Sequence, residues 1–173
     1  MQEWMADVAY KFRIAFIDGD RWKLYLQGLG VTIQIAVFAA ILGVVIGTVI
    51  ALMKMSTTRT GKRTIFSYLA QAYIDIIRGT PSVLQLLIMW FIVMSSSKNG
   101  VLVAVLTFGI NSGAYVSEIM RAGIQAVDHG QMEAGRSLGL SKAQTMRYII
   151  LPQAIKNVLP PIGNEFIVLL KET

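Results

Sequence analysis

The chain has 173 residues, 54% hydrophobic and 15% charged, with a formal net charge of +6. That apolar content, with a mean hydropathy of +0.57, exceeds what a soluble domain of this size needs and points to a membrane protein. The absence of cysteine excludes disulfides and thiolate metal sites, and basic residues that flank apolar runs without forming one stripe favour a membrane surface over nucleic acid.

Residues 1–23 combine Trp4, Phe12, Phe16 and Trp22 with four basic and four acidic residues, which suits either a helix lying in the headgroup region outside the cell membrane or a mobile tail. The start has no basic n-region and the first apolar run is too long for a signal-peptide core, so that run reads as a retained helix. Three stretches, 24–53, 79–97 and 99–117, contain no Asp, Glu, Lys, Arg or His, and each exceeds the ~18 residues that suggest a spanning helix. The first ends at Lys54, Arg59, Lys62 and Arg63, four cations that place the following loop in the cytoplasm. The N-terminus is then outside, with Lys11, Arg13, Arg21 and Lys23 tolerated there because the inner loops carry more positive charge.

Over 65–78, Ser67, Gln71, Asp75 and Arg78 recur every three or four residues, opposite Phe66, Leu69, Tyr73 and Ile77, which predicts an amphipathic helix. Gly79-Thr80-Pro81 interrupts it, because Pro81 lacks a backbone donor and drives Thr80 out of the helical region. A second span is expected from Pro81 to the serines at 95–97, then a tight external turn at Lys98-Asn99-Gly100, then a third span from Val101 to about Gly123. Thr107, Asn111, Tyr115 and Glu118 form a polar stripe on that third span, which should face protein or water because exposure to lipid is costly. Gly43/Gly47 and Gly109/Gly113 have the spacing for close helix packing. The segment 128–157 is polar and cytoplasmic, and a fourth span begins around Val158 and runs to Thr173.

The polar segment reads Gln131-Met132-Glu133-Ala134-Gly135-Arg136-Ser137-Leu138-Gly139-Leu140-Ser141, followed by Ile149-Ile150-Leu151-Pro152. Gly139 can take the positive φ that ends one helix, and Ser141 with Gln144 has the spacing of a capping box that starts the next. By local chemistry this helical hairpin is either a docking knob or an ordinary connector.

The spacing of Glu133, Ala134, Gly139, Ile149, Leu151 and Pro152 resembles the EAA loop of binding-protein-dependent ATP-binding-cassette importers, with Gly135 in place of the usual third Ala. The resemblance narrows to the polar amino acid branch through Gly28-Leu29-Gly30-Val31-Thr32, Arg78-Gly79-Thr80-Pro81, Asn111-Ser112-Gly113-Ala114-Tyr115, Glu118-Ile119-Met120-Arg121, Pro152-Gln153-Ala154, Gly163-Asn164-Glu165-Phe166 and Lys171-Glu172-Thr173. It implies an all-α membrane protein: a type I importer transmembrane domain over 24–173, with about four spans where the family normally has five, and a cytoplasmic coupling helix in the loop 128–157. The chain is accordingly expected to be C-terminally incomplete. It also implies a multi-pass permease of the bacterial inner membrane that forms the path for polar amino acids.

The implied partners are a dimer of ATPase subunits that carry the ATP and Mg, a second permease subunit, identical or different, an extracytoplasmic solute-binding protein, and membrane lipid. Contact with the ATPase falls to Glu133, Ala134, Gly135, Gly139 and Leu140. No cofactor, metal site or catalytic residue is expected in this chain. Its one Gly-Lys pair, Gly61-Lys62, is followed by Arg63 and preceded by Ser56, which is not a phosphate-binding loop.

Asn111, Tyr115, Glu118 and Glu165 are the candidate lining of the path, with Glu118 placed to meet a substrate ammonium. The competing role for Glu118 is neutralisation by Arg121 or Arg78, and Glu165 has an equally structural reading. Rival classes are an ion-coupled secondary transporter that uses Glu118 and Glu165 as relays, or a membrane scaffold subunit. The former predicts inverted repeats, which this short sequence lacks.

Overall fold

The computed structural model describes residues 1–56 and 62–173, so Arg59 and Gly61 of the first basic loop lie outside the described residues. The chain divides into two units, residues 1–34 and 35–173, and the division falls within one helix, α2 (Trp22–Met55).

In the first unit, α1 (Gln2–Phe12) passes into a π turn at Arg13–Ile17 and a 3-10 turn at Asp18–Asp20. Gly19 and Asp20 both take positive φ there, 68° and 58°, a conformation that short polar residues and glycine accept most readily. Phe12, Phe16 and Tyr25 stack in sequence, with ring centroids 4.8 and 5.1 Å apart. Lys11, Arg13 and Lys23 pair with Asp7, Asp18 and Asp20 at 2.7, 3.3 and 2.6 Å. These pairs are solvent-exposed and contribute about 0–1 kcal/mol each.

The second unit is built around α5 (Gly100–Gln125), which starts from an Asn99 cap whose side chain accepts from the Leu102 amide at 3.1 Å. Its buried positions include Ala104, Gly109, Ser112, Gly113, Ala114 and Ser117, small residues that let neighbouring helices close in. Gly43 and Gly47 of α2 lie against Ser112, Gly113 and Val116. A Cβ on Gly47 would sit 2.7 Å from the Val116 side chain and 2.9 Å from the Gly113 carbonyl, and one on Gly109 would sit 2.5 Å from Leu42. Both glycine pairs therefore serve the close contact that their spacing predicts. Ile35, Ala36 and Ala39 of α2 join Ala104 and Phe108 of α5 and Leu169 of the last helix in one apolar core.

The Gly79-Thr80-Pro81 break forms as expected. Helix α3 (Ile65–Gly79) ends at an extended Thr80 with φ −117° and ψ 142°, and α4 (Ser82–Ile88) follows Pro81 and runs into a π turn at Met89–Val93. The expected second span from Pro81 needs correction. Ser82–Val93 is 12 residues, about 18 Å at ~1.5 Å per residue, which is too short for a ~30 Å hydrocarbon core. Only together with α3, across a 102° bend, is it long and apolar enough to cross.

Helix α3 forms where the amphipathic spacing predicts it. Ser67, Ala70 and Ile74 are buried while Phe66, Leu69 and Asp75 are exposed, and the buried Ser67 hydroxyl donates to the Lys54 carbonyl at 2.9 Å. The polar stripe read from the sequence is therefore split between the two faces.

Helices α2 and α5 are each long and apolar enough to cross a membrane. The fourth expected span falls on α8 (Leu151–Glu172), which is not among the helices apolar enough by themselves to cross and is not separated from a preceding loop at Val158. It continues without interruption from α7 (Lys142–Thr145) through a π turn at Met146–Ile150. That turn lies directly before Pro152, where a proline ring and its missing donor disrupt regular α-helical bonding.

Candidate functional site

Two groups of residues carry the functional expectations. The first is the hairpin α6 (His129–Ser137) and α7. Asp128 caps α6 by accepting from the Gly130 amide at 2.6 Å. At the other end Gly139 has φ +85°, the Gly139 amide donates to the Arg136 carbonyl at 3.0 Å and the Leu140 amide to the Gly135 carbonyl at 3.1 Å. Those two bonds form a Schellman motif, which needs the left-handed residue that glycine supplies. The capping box at Ser141 is complete: the Ser141 amide donates to Gln144 Oε1 at 2.8 Å and the Gln144 amide to Ser141 Oγ at 3.3 Å.

The hairpin stands on its own small core of Val127, Ile150 and Ala154, packed by Ile124, Met132, Met146 and Ile149. Gln153 joins its parts, donating to Gln131 Oε1 at 3.3 Å and to the Ile149 carbonyl at 2.9 Å. Glu133, Ala134 and Gly139 are exposed and Leu140 is half-buried. Gly135 is buried, and a Cβ there would meet Thr145 at 2.5 Å and Ile149 at 3.1 Å. Gly135 thus faces its own chain, and its small size serves α6–α7 packing where the sequence reading had it admit a partner. Leu138, which that reading passed over, is 80% exposed. An apolar side chain held out at the tip of a polar hairpin is the signal that marks it.

The second group lines the inner face of α5. Asn111 is buried and donates to Gln85 Oε1 at 3.0 Å. The Gln85 amide in turn donates to the Ile77 carbonyl at 2.8 Å, the Thr80 hydroxyl at 2.7 Å and the Thr80 carbonyl at 3.2 Å. A broken helix leaves carbonyls without partners, and in a membrane these must be satisfied by protein. Gln85 does this for the break and ties it to α5. Tyr73 adds a second tie, donating to the Ile110 carbonyl at 2.5 Å. Beside the break is an apolar cavity of ≈ 250 Å³ bordered by Thr80, Gln85, Ile88, Met89 and Thr107.

Thr107 closes on its own helix through the Val103 carbonyl at 2.8 Å, and Tyr115 lies beneath the Arg78 guanidinium, 5.0 Å from the ring centroid. Glu118 is bonded to Lys54 and to Arg121, the latter at 2.9 Å. Of the two cations expected to neutralise it, Arg121 does so and Arg78 does not. Lys54, 64 residues away, is the partner that sequence spacing had no means to reveal. Glu165 is half-buried on α8. The buried Ser112 hydroxyl has no hydrogen-bond partner among the described residues. Among the described residues no cluster of His, Cys, Asp and Glu has the arrangement of a metal site.

Known proteins resemble the chain over most of its length. It is 44% identical over 151 residues to the arginine transport system permease protein ArtQ of Bacillus subtilis, covering 86% of this chain and 67% of that protein. It is 37% identical over 155 residues to the glutamine transport system permease protein GlnP of Escherichia coli, covering 87% and 68%. The crystal structure of an amino acid ABC transporter with histidines matches with a TM-score of 0.79 and 45% identity over 97% of this chain and 72% of that one. A methionine ABC transporter in inward-facing form matches with a TM-score of 0.74 and 19% identity over 90% and 74%, which speaks to the fold alone. With the family model matching residues 43–173, the chain belongs to the binding-protein-dependent transport system inner membrane components.

Proposed function

We propose that this permease forms, with a second permease subunit, the membrane path of an importer for polar amino acids, delivered by an extracytoplasmic binding protein and driven by a separate ATPase. The observation that carries the reading is the α6–α7 hairpin. It is rigidly capped at three points, packed on its own core, and presents Glu133, Ala134 and Leu138 outward. A preorganised exposed knob of this kind suits docking to a partner, and α8 continues directly from it into the helical bundle. Movement imposed on the hairpin is thereby passed to the helix that carries Glu165. The relatives' roles in arginine and glutamine transport support a polar amino acid as cargo.

In this reading the N-terminus is outside and the hairpin is in the cytoplasm. Asn111, Tyr115 and Glu118 organise the path by holding α4, α3 and α2 to α5, and Glu165 is the candidate substrate contact on α8. The test is uptake of radiolabelled arginine and glutamine into proteoliposomes that contain the permease, its ATPase and the binding protein. Uptake should require internal or external ATP on the ATPase side and persist when ion gradients are collapsed. Uptake driven by a proton or sodium gradient without ATP would replace this reading with secondary transport.

A further inference from the structure

The Lys54 end of α2, the start of α3 and the Arg121 end of α5 enclose a cleft of ≈ 320 Å³ lined by Lys54, Met55, Arg63, Ser67, Arg121 and Gln125. That volume lies at the low end of the ~300–1,000 Å³ typical of small-molecule sites. Three cations border it, two of them paired with Glu118, and none of these lining residues is a carboxylate. The cleft therefore carries an excess of positive charge. Lys54 and Arg121 side chains are only 16% and 31% exposed, so solvent and salt screen this excess less than they would at an open surface.

The remaining donors point to the chemistry of the occupant. A guanidinium has five N–H donors. Arg121 uses Nε and Nη2 on Glu118 and Nη1 on Gln125, which leaves one hydrogen on each terminal nitrogen. Gln125 accepts from Arg121 through Oε1 and keeps its amide hydrogens. Arg63 adds a second guanidinium, and planar guanidinium forks match the oxygens of a phosphate.

We infer that this cleft binds the phosphate of an anionic phospholipid headgroup. The lipid source follows from position: the cleft sits where α2 and α5 reach the ends of their apolar stretches, and basic pockets between transmembrane helices on the cytoplasmic side recruit anionic headgroups. Met55, which lines the cleft, and Leu52, one turn earlier on the same face of α2, are both exposed. They offer an apolar flank for the acyl chains, which a free phosphate would not use. The bound lipid would brace α2, α3 and α5 at the level of the Lys54–Glu118–Arg121 bridge.

The test is native mass spectrometry of the full chain exchanged into nanodiscs of phosphatidylglycerol or phosphatidylcholine. Wild type should retain phosphatidylglycerol after gentle delipidation and release phosphatidylcholine. Arg63→Gln should lower retention about fivefold, as expected for one basic residue at an anionic surface, while Lys98→Gln, at the opposite end of the α5 span, should retain as wild type. Equal retention of the two lipids, or unchanged retention in Arg63→Gln, would overturn the inference. Displacement of phosphatidylglycerol by millimolar inorganic phosphate would also overturn it and assign the cleft to free phosphate. Loss of ATPase co-purification in Arg63→Gln with lipid retention intact would make the cleft a subunit contact instead.

Discussion

Gln85 and Asn111 meet side chain to side chain at 3.0 Å, and through that bond the broken helix α3–α4 is fixed to the central helix α5. The same Gln85 amide serves the Ile77 carbonyl and both oxygens of Thr80. A 102° bend beside an apolar cavity thus has one side chain that both satisfies carbonyls at the break and ties it to α5, with the Tyr73 hydroxyl on the Ile110 carbonyl as a second tie.

Replacing Gln85 with Leu should destabilise the protein by about 2–4 kcal/mol, because it leaves a carbonyl and the Asn111 amide buried and unpaired at ~1–3 kcal/mol each. Thr80→Val removes a hydroxyl that accepts from Gln85 and donates to the Ile76 carbonyl at 3.0 Å, but it leaves Gln85 bonded to Asn111 and to the Ile77 carbonyl and should cost less. Thermal unfolding in detergent measures both, and a Gln85→Leu protein as stable as wild type would mean that water already serves these groups.

Glycines of α2 should separate into two classes. Gly47→Ala brings its Cβ against Val116 and the Gly113 backbone and should cost about 1–3 kcal/mol through overpacking. Gly28→Ala and Gly30→Ala meet nothing within 4 Å and should be neutral, or stabilising by up to ~1 kcal/mol from helix propensity. Equal losses at all three positions in a chemical-unfolding series would refute the packing assignment.

Glu118→Gln strips both Lys54 and Arg121 of their charged partner, in a setting where Glu118 itself is 19% exposed. The expected result is a stability loss of about 1–3 kcal/mol, discounted from the ~3–5 kcal/mol of fully buried pairs, with lowered kcat and an unchanged substrate KM. A raised KM at wild-type stability would instead put Glu118 in contact with the substrate ammonium.

The orientation is checked on a chain that has no native cysteine. Single cysteines at Lys62 and Lys142 should resist an impermeant thiol reagent applied from outside, and one at Lys98 should react. External labelling at position 142 would invert the topology.

What the sequence made legible was local. The extended Thr80, the left-handed Gly139 and the Ser141–Gln144 box all follow from chemistry within a few residues, and all are present in the structure. The glycine pairs were also readable, because a missing Cβ matters only where another helix arrives. Long-range partners were not. Lys54 reads as a topological anchor until Glu118 is seen beside it, no motif or spacing marks Gln85, and Gly135 reads as an ATPase contact until Thr145 packs on it. The spacing on α3 predicts its amphipathic character but not which face is buried, because the Lys54 carbonyl that receives the Ser67 hydroxyl lies on another helix.

The account turns on the hairpin as the coupling element, and Glu133→Lys tests this most directly. Glu133 is exposed, and its side chain makes no hydrogen bond or ion pair among the described residues, so the fold should be unaffected while a docking surface gains a reversed charge, a change that costs several kcal/mol when juxtaposed with like charge. The measurement is ATP-driven amino acid uptake in proteoliposomes alongside ATPase co-purification and thermal stability. The account predicts wild-type stability with ATPase retention and uptake lowered at least tenfold, whereas normal uptake with the ATPase bound would contradict it.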